Sequence, residues 1–593
     1  MNPALVLAAL LKALFLLGFV LTLTGVLTWA DRRQGAMHQD RIGPERAVVW
    51  LPTWLAQLLM VLPALLVATG AVYLPLGMDA QGPARNTQAT LFSHLAVFML
   101  WATALALTGR IRKRGVRHAL DAFLASLGEP RRILYVGLAA HALLVLAGVL
   151  SRGTETGQLL REIGYRSGTS VFAFAVLAGA AYTALSVRGT ARVGVRALGL
   201  FHLVADGIKT AFKEDLVPPR ADRFLFGLAP FLAMVPVLVV LAVVPFGDTL
   251  CFAVDSQGSI DFGHLLPSVP REGVCRKGAI DLMVWDANVG FLFVLAITGT
   301  GVVGMAIAGG SSDNKFSLLG GLRAASQMVS YEVTLGLAAV GALMTYGTLE
   351  LDDMVRWQAD HTWGLFVQPL GCILFFAAMM AESKRIPFDL PEGESEIVAG
   401  HMTEYSGMKF AMFYFAEYAA VVVVSALMTT LYLGGWHIPF VARDGLHLEV
   451  AGRVLLEGPL PHVLVVGLGM LAFGVKTVLL CWLQVGVRWT LPRFRFDQLM
   501  RLGWRILLPT SLVNILATGL VLLLVWNAGP AVHEALGWAG EVSQTLVLVA
   551  GLAALGWLVH YWLRPTHKTV DPPTSAVRFA TAAGGTRSAR MGA

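Results

Sequence analysis

The sequence predicts an all-α protein, a bundle of about 13 transmembrane helices, and three observations support this class. Hydrophobic residues make up 56% of the 593-residue chain, and charged residues make up only 14%. The mean hydropathy is +0.67. Apolar runs of about 20 residues, the length needed to cross a bilayer, recur along the chain with polar segments between them. This composition excludes an ordinary soluble domain.

The apolar runs place the predicted spans in order along the chain. They cover residues 4–29, 48–76, 90–109, 133–150, 170–187, 224–247, 287–309, 327–346, 365–381, 411–434, 461–486, 507–527 and 541–563. The first run lacks a small-residue cleavage pattern, so we interpret it as a retained span and not as a removed signal peptide. The glycine-containing segment 310–323 is predicted to be a turn between two spans.

Segment 197–213 differs from the spans, because its apolar residues follow helical spacing along one face only. Leu200, Val204 and Ile208 share that face, whereas Lys209 lies elsewhere on the helical wheel. This pattern predicts an amphipathic helix that lies in the membrane interface.

The distribution of Lys and Arg predicts the orientation, because cytoplasmic loops of membrane proteins carry an excess of these residues. With the N-terminus outside and the C-terminus in the cytoplasm, the inside segments hold 33 Lys and Arg residues and the outside segments hold 10. The net charge of +7 therefore reflects topology, and nothing else in the sequence supports nucleic-acid binding. Residues 564–593 are predicted to be a disordered cytoplasmic tail.

Carboxylates concentrate in the polar segment 382–405, between two apolar runs. Glu392, Glu394 and Glu396 are close enough in sequence to repel one another, and such groups beside a low-dielectric boundary can share a proton. An acidic loop is also typical of a solvated surface that docks basic partners. Two further carboxylates, Glu332 and Glu417, lie inside predicted spans, where each costs roughly 2.5–3.5 kcal/mol, and they do not fit that alternative. For Glu332 alone, a packing role stays open.

Several kinds of cofactor chemistry have no motif in this chain. There is no dinucleotide-binding fingerprint, phosphate-binding loop or cysteine cluster, so no NADH, flavin or iron–sulfur site is expected in this chain. His94 and His141 lie in predicted spans and are expected to be polar packing residues and not haem ligands. Cys372 and Cys481 lie in spans and are expected to pack there. Cys251 and Cys275 share one outside loop, where an oxidising compartment would permit a disulfide.

Six blocks of the sequence resemble the H subunit of respiratory complex I, the NADH:quinone oxidoreductase, which is called subunit 1 in mitochondria. In chain order they are Asp31-Arg32-Arg33 with Gln39-Asp40-Arg41-Ile42-Gly43-Pro44, Ala205-Asp206-Gly207-Ile208-Lys209 with Phe212-Lys213-Glu214-Asp215, Gly321-Leu322-Arg323-Ala324-Ala325-Ser326-Gln327 with Ser330-Tyr331-Glu332-Val333, the acidic segment 382–405, Ala416-Glu417-Tyr418, and Pro492-Arg493-Phe494-Arg495-Phe496-Asp497-Gln498-Leu499-Met500. The family usually has Glu in place of Asp31, Gln in place of His202 and Thr-Asn in place of Ser383-Lys384. Lys384 therefore adds a cation beside the acidic segment.

The resemblance also divides the chain into predicted parts. Residues 1–46 and 197–527 match the core of the family, residues 47–196 are a four-span insertion, and residues 528–563 add a C-terminal span before the tail 564–593. Four spans return the chain to the side from which it left, so the family topology survives the insertion. We expect lipid-facing or partner-facing helices in both additions.

The resemblance implies a subunit without a redox centre of its own, inactive alone, in a proton-pumping complex of the bacterial inner membrane. It implies that the chain forms the membrane side of a quinone chamber with peripheral iron–sulfur subunits. It also implies contact with small membrane subunits and the start of a proton path towards antiporter-like subunits. Quinone is the expected substrate, with no flavin, haem, iron–sulfur cluster or metal in this chain.

Candidate site residues follow from the carboxylates and from the tunnel that a quinone needs. The proton-path candidates are Glu332, Glu382, Glu392, Glu394, Glu396, Glu404 and Glu417. Quinone has an apolar tail and a polar head, so its site requires an apolar tunnel with a few polar groups. Helix 197–213, the first span and the span from 411 are expected to form it. The candidates for its polar lining are Arg33, Arg41, Asp206, Lys209, Arg385 and Asp389, and the aromatic Phe388 is a further candidate for quinone binding. For each arginine taken singly, anchoring at the cytoplasmic side is an open alternative.

Two other functions stay open from the sequence. The equivalent subunit of a membrane-bound hydrogenase-type complex shares these blocks, although the full acidic segment and the block from Pro492 favour the quinone enzyme. A stand-alone cation/proton transporter would use the same buried carboxylates, but such proteins often contain an inverted repeat, and the sequence shows none. The subunits that copurify with the chain would distinguish these functions.

Overall fold

The structure is a computed structural model that describes residues 3–39, 49–52, 54–55, 58, 192–195, 201–251, 279–443, 445–450, 453–459 and 462–563. Residues Met1–Leu546 form one compact unit, and a second unit begins at Val547. The described residues are mostly helical, which confirms the predicted helical class. The predicted spans between 48 and 187 and the tail 564–593 lie outside the described residues.

The helices are numbered in chain order. They are α1 (Pro3–His38), α2 (Phe201–Ala211), α3 (Arg223–Val240), α4 (Gly290–Ser311), α5 (Lys315–Tyr346), α6 (Leu351–Asp360), α7 (Gly364–Val367), α8 (Pro369–Glu382), α9 (Glu394–Ile397), α10 (Gly407–Tyr432), α11 (His462–Thr490), α12 (Phe496–Arg501), α13 (Leu508–Trp526) and α14 (Pro530–Leu563). Short 3₁₀ turns cover Leu241–Val243 and Gly400–Met402, and a π-helical segment, Leu502–Leu507, joins α12 to α13.

Seven of the described helices are long and apolar enough to cross a membrane. They are Ala9–Ala36, Arg223–Val243, Gly290–Ser311, Lys315–Tyr346, Gly407–Tyr432, His462–Thr490 and Phe496–Trp526. Each coincides with a predicted span. The predicted span 365–381 corresponds to the shorter apolar helix α8, and α14 covers the predicted final span. The total of 13 spans and the orientation of the termini stay predictions.

Helix α5 lies at the centre of the described bundle, where it packs against α4, α8 and α13. It begins directly after Asn314, whose side chain accepts a hydrogen bond from the Phe316 amide, and it ends at Gly347 in the left-handed conformation. The predicted turn at 310–323 is therefore too long. Gly320 and Gly321 lie inside the helix, where a Cβ on Gly320 would come within 2.4 Å of the His401 backbone nitrogen. These glycines permit close packing.

Helix α2 occupies most of the predicted amphipathic segment 197–213 and packs against both α1 and α10. Its Leu203 side chain fills the space above Gly25 of α1, because a Cβ on Gly25 would lie 2.8 Å from Leu203 Cδ1. The apolar side chains of Val204 and Ile208 stay more than half exposed. The three elements expected to form a quinone tunnel are thus adjacent, and α2 presents an apolar face that the described part of the chain does not cover.

Short antiparallel β-strands supplement the helices, which the predicted all-α class did not anticipate. They are β1 (Val49–Pro52), β2 (Arg192–Val195), β3 (Leu250–Cys251), β4 (Ala279–Ile280), β5 (Val441–Ala442), β6 (Gly445–Val450) and β7 (Arg453–Pro459). They pair as β1 with β2, β3 with β4, and β5–β6–β7 in that order.

Strands β1 and β2 bring together the two ends of the predicted insertion. Val49 pairs with Val195, and Pro52 pairs with Arg192, so the chain leaves and re-enters the core at neighbouring points. A segment with adjacent ends can be removed without stretching the remainder. This pairing supports the proposal that residues 47–196 are an insertion into a continuous core.

Replacing residues 53–191 with Asn-Gly should preserve the core. The two-residue turn would connect β1 to β2 directly, and Asn-Gly is a favoured hairpin turn. Cysteines introduced at Lys315 and Asn527 report the topology, because both positions are exposed and are predicted on opposite sides of the membrane. We expect an impermeant thiol reagent added from outside to label position 527 and not 315, with and without the insertion. The reverse pattern in the shortened chain would show that the insertion determines topology.

Candidate functional site

A buried ion pair between Arg385 and Glu417 is the centre of the site. Arg385 lies in the loop after α8 and Glu417 lies in α10, and the two are 5% and 1% exposed. Arg385 Nη2 is 3.0 Å from Glu417 Oε2. The Arg385 guanidinium also lies over the rings of Tyr418 and Tyr414, at 4.1 and 5.2 Å from their centroids. A buried charge without such a partner is strongly destabilising, so the two residues depend on each other.

A second buried carboxylate, Asp31 near the end of α1, connects to this pair through Tyr418. The Tyr418 hydroxyl donates to Asp31 Oδ2 at 2.7 Å, and Trp489 Nε1 donates to Asp31 Oδ1 at 2.9 Å. Arg488 forms an ion pair with the same carboxylate. Asp31 therefore joins α1, α10 and α11 at one point. Asp31 was not among the predicted site residues, although a carboxylate at the end of an apolar run is the signal that would have identified it.

A third ion pair joins Asp389 to Arg493, at 2.8 Å between Oδ2 and Nη2. Asp389 is 4% exposed. Burial, assisted by the nearby Glu392, raises the pKa of the Asp389 carboxyl to about 7, against the opposing effect of Arg493. This group can therefore gain or lose a proton near neutral pH. Arg493 stands in one of the six blocks that carry the resemblance, but it was not among the predicted site residues.

The loop that carries Arg385 and Asp389 is held in place by contacts from α5 and from the segment after α11. Gln327 of α5 donates through Nε2 to the carbonyls of Ala381 and Phe388, both at 2.8 Å. The Phe494 amide donates to the Pro387 carbonyl at 3.1 Å. The Phe388 ring packs against those of Tyr331 and Phe494. Phe388, predicted to contact quinone, is 6% exposed and fixes the loop.

Two further residues of this region are buried and titratable. Lys384 is 5% exposed; burial lowers the pKa of its ammonium, while Glu417, Glu382 and Glu392 oppose that shift. The His401 side chain is fully buried. Burial and the nearby Lys384 lower the pKa of His401 to about 3, so its imidazole is neutral at physiological pH. The sequence singled out Lys384 only as a departure from the family, and His401 was not predicted.

The remaining acidic candidates are spread over a wider region. Glu382 ends α8, and its Oε2 is buried without a hydrogen-bond partner among the described residues. Glu404 accepts a hydrogen bond from Asn314 Nδ2 at 2.6 Å. Glu396 forms an ion pair with Arg323 at 2.6 Å, with half of its side chain exposed. Glu396 is therefore engaged away from the buried pairs.

Glu392 and Glu394 complete the acidic candidates. Glu392 is partly buried and interacts electrostatically with Lys384 and Arg385. The side chain of Glu394 lies outside the described residues. The predicted sharing of a proton among Glu392, Glu394 and Glu396 stays a prediction, and the ion pair of Glu396 does not support it.

Glu332 of α5 is partly buried beside α4. Its Oε1 accepts a hydrogen bond from the Thr298 hydroxyl at 3.2 Å. A Cβ on Gly299 would lie only 3.1 Å from that oxygen, so the glycine leaves room for the carboxylate. Glu332 thus has a polar partner within the bundle, as expected for an ionisable residue in a span.

The candidates on α1 and α2 form a separate polar edge. Asp206 pairs with Arg32, and the Arg33 guanidinium lies 5.6 Å from the Trp29 ring centroid. Lys209 is exposed on α2. Arg41 lies outside the described residues. This edge is next to the buried pairs, because Arg32 directly follows Asp31 in the chain.

The cysteines and the possible metal ligands were also compared with the predictions for them. Among these residues, no group of three or more His, Cys, Asp or Glu side chains could hold a metal ion. Cys372 and Cys481 are free and buried, and Cys251 is disulfide-bonded. Cys275 lies outside the described residues, so its pairing with Cys251 stays a prediction.

Comparison with known proteins supports the resemblance found in the sequence. A family model described as NADH dehydrogenase matches residues 170–519. The chain is 44% identical over 326 residues to H subunit 1 of the NADH-quinone oxidoreductase of Geobacter sulfurreducens, covering 55% of this chain and 83% of that protein. It is 43% identical over 326 residues to H subunit 2 of the Geobacter metallireducens enzyme, with 55% and 84% covered. It is 40% identical over 326 residues to H subunit 1 of the Cytophaga hutchinsonii enzyme, again with 55% and 84% covered. The chain therefore belongs to the family of NADH-quinone oxidoreductase H subunits, the H subunits of complex I.

Proposed function

We propose that this chain forms the membrane side of the quinone chamber in a proton-pumping NADH:quinone oxidoreductase and begins its proton path. The observation that carries the proposal is a cluster of three ion pairs whose carboxylates are all buried, which we call the buried charge cluster. Its members are Asp31, Lys384, Arg385, Asp389, Glu392, Glu417, Arg488 and Arg493. Buried charges are costly and rare in membrane proteins and mark ion pathways.

The cluster is suited to moving charge, because it combines fixed cations with carboxylates that can exchange protons. Arginine does not deprotonate in proteins, so Arg385, Arg488 and Arg493 provide constant positive charge. Asp389 changes its protonation near neutral pH. Tyr414 and Tyr418, whose hydroxyl oxygens are 3.2 Å apart, extend the polar contacts towards Asp31. A proton that enters this cluster finds acceptors within it.

The quinone chamber is supported by the packing of α1, α2 and α10. The exposed apolar face of α2 and the polar edge of Asp206, Arg33 and Lys209 combine apolar and polar groups on one side of the cluster. A quinone requires such a combination for its tail and its head. We propose that peripheral iron–sulfur subunits cover this face and complete the chamber.

The electron-transfer groups belong, in this proposal, to other subunits of the complex. Small membrane subunits and antiporter-like subunits would receive the proton path, and the complex would lie in the bacterial inner membrane. The chain would act as a non-redox subunit whose substrate contact is with quinone alone.

Purification of the tagged chain tests this proposal. From native membranes, we expect it to copurify with peripheral iron–sulfur and antiporter-like subunits, in a preparation that reduces quinone with NADH. The same chain expressed alone should show no NADH or quinone reductase activity. Turnover by the isolated chain would refute a non-redox role. Purification with hydrogenase subunits in place of an NADH-oxidising module would assign the chain to the hydrogenase-type complex.

A further inference from the structure

Lys384 is a buried cation of the cluster that has no partner of its own among the described residues. Each of the three arginines of the cluster pairs with one carboxylate. The pairs are Arg385 with Glu417, Arg488 with Asp31, and Arg493 with Asp389. The Lys384 side chain is 5% exposed, and within the described part of the chain its ammonium forms no ion pair or hydrogen bond.

Charged and titratable groups on four segments of the chain interact electrostatically with Lys384. They are Glu382 at the end of α8, Arg385 and Glu392 in the following loop, His401 in the 3₁₀ turn, and Glu417 of α10. Three of these five are carboxylates, so the ammonium lies in a predominantly acidic environment.

The backbone at Lys384 is unusual for a residue with a side chain. Its φ angle is +54°, in the left-handed region that Gly and Asn tolerate best. Strained residues of this kind persist where the surrounding structure requires them, and they concentrate at functional sites. A lysine in this conformation, buried and unpaired, therefore calls for a role that its charge explains.

Lys384 is also the member of the cluster whose positive charge can change. The arginines stay protonated, and His401 is neutral because burial lowers its pKa to about 3. A lysine, in contrast, loses its proton readily when it is buried.

We propose that Lys384 exchanges a proton with the carboxylates beside it and so sets how many protons the entrance of the path holds. In the forward step, an N–H bond of the ammonium breaks, the proton passes through one bridging water, which is left unchanged, and an O–H bond forms on a nearby carboxylate such as that of Glu382, because no described carboxylate lies within ion-pair distance of the ammonium. The products are a neutral amine and a neutral acid, so charge is conserved and no other reactant is needed. The reverse step restores the two charges. This inference rests on the proposed function.

The test uses the assembled complex in membrane vesicles, with Lys384→Asn and Lys384→Arg. NADH-driven quinone reduction and proton uptake are measured across a range of about pH 5.5–9.5, which brackets neutral pH, where buried lysines and carboxylates titrate. Asn suits the left-handed backbone and is the residue that the family usually has at this position, so assembly should be retained. Lys315→Gln, at an exposed position on α5, is the matched control for the loss of one lysine charge and should keep the wild-type profile.

We expect Lys384→Asn to shift the midpoint of the pH profile upwards by about half a pH unit or more, because carboxylates that lose a neighbouring cation retain protons to higher pH. We expect Lys384→Arg to keep the wild-type midpoint and to lower the proton-uptake rate by about tenfold, because a guanidinium cannot release the proton.

Wild-type pH profiles in both variants would overturn the inference. Loss of assembly in Lys384→Asn would also overturn it, because it would show that the Lys384 side chain serves only to stabilise the structure. Glu417→Gln, measured in parallel, separates this failure from a failure of the proposed function. If only the Lys384 variants behave as wild type, the lysine has no role in proton exchange. If the Glu417 variant also pumps normally, the proton path itself lies elsewhere.

Discussion

Replacing Glu417 with Gln is expected to lower NADH-driven proton pumping at least about tenfold in the assembled complex. Gln keeps the shape of the side chain but removes both the negative charge and the site for a proton. It also leaves Arg385, which is 5% exposed, without its counter-charge. The change therefore interrupts the buried charge cluster at its most buried pair.

Proton pumping in inside-out vesicles, normalised to the amount of assembled complex, measures this effect. Glu534→Gln provides the matched control, because Glu534 is exposed on α14 and should not affect pumping. Normal pumping by the Glu417 variant at normal assembly would assign Glu417 to packing. A loss of assembly without a change in pumping per complex would give the same assignment.

Replacing Asp31 with Ala should be among the most destabilising single changes in the described core. Asp31 accepts hydrogen bonds from Tyr418 and Trp489 and pairs with the partly buried Arg488. Breaking a buried ion pair by removing one partner costs about 3–5 kcal/mol. Three helices would lose their common contact, and we expect less intact complex after mild heating.

The neighbouring residue offers an internal comparison for this prediction. The ion pair of Arg32 with Asp206 has both side chains nearly half exposed, and surface pairs contribute only about 0–1 kcal/mol. Arg32→Gln should therefore leave heat resistance almost unchanged, and Asp31→Glu should preserve much of it. Native gel electrophoresis after graded heating measures both. Equal loss of complex in Asp31→Ala and Arg32→Gln would contradict a special role for the buried pair.

The spans of the core were predictable because their signal is local. Long apolar runs, the side-chain cap at Asn314 and the amphipathic pattern of α2 are all visible within a few dozen residues. The predicted turn at 310–323 was too long: the chain turns at 312–314, whereas Gly320 and Gly321, although glycine is typical of turns, lie inside α5 and permit close helix packing. The β-strand pairs at 49–52 and 192–195 were not predicted, because their partners are far apart in sequence.

The site was predicted only in part. The type of a residue indicates how much free energy it costs to bury its charge, but not which residue it pairs with. Glu417 was selected since a carboxylate in a span is expensive, and the structure places it in a buried ion pair. Its pairing with Arg385, and that of Asp31 with Arg488, depends on the folded chain. The acidic segment looked uniform in sequence, but burial separates Asp389 from the exposed Glu396. Asp31, His401 and Arg493 were missed for the same reason.

The pairing of Asp31 with Arg488 has a consequence for the biogenesis of the protein. The two residues are 457 positions apart, so the carboxylate on the first helix is synthesised long before its counter-charge. At typical rates of translation, this interval lasts roughly 20–90 s. During that time the Asp31 carboxylate, which follows the predicted span 4–29 on the cytoplasmic side, is hydrated by water and not neutralised by Arg488. The junction of α1, α10 and α11 therefore closes only after α11 has been synthesised, so chains that stall before α11 should leave the Asp31 side chain accessible to water.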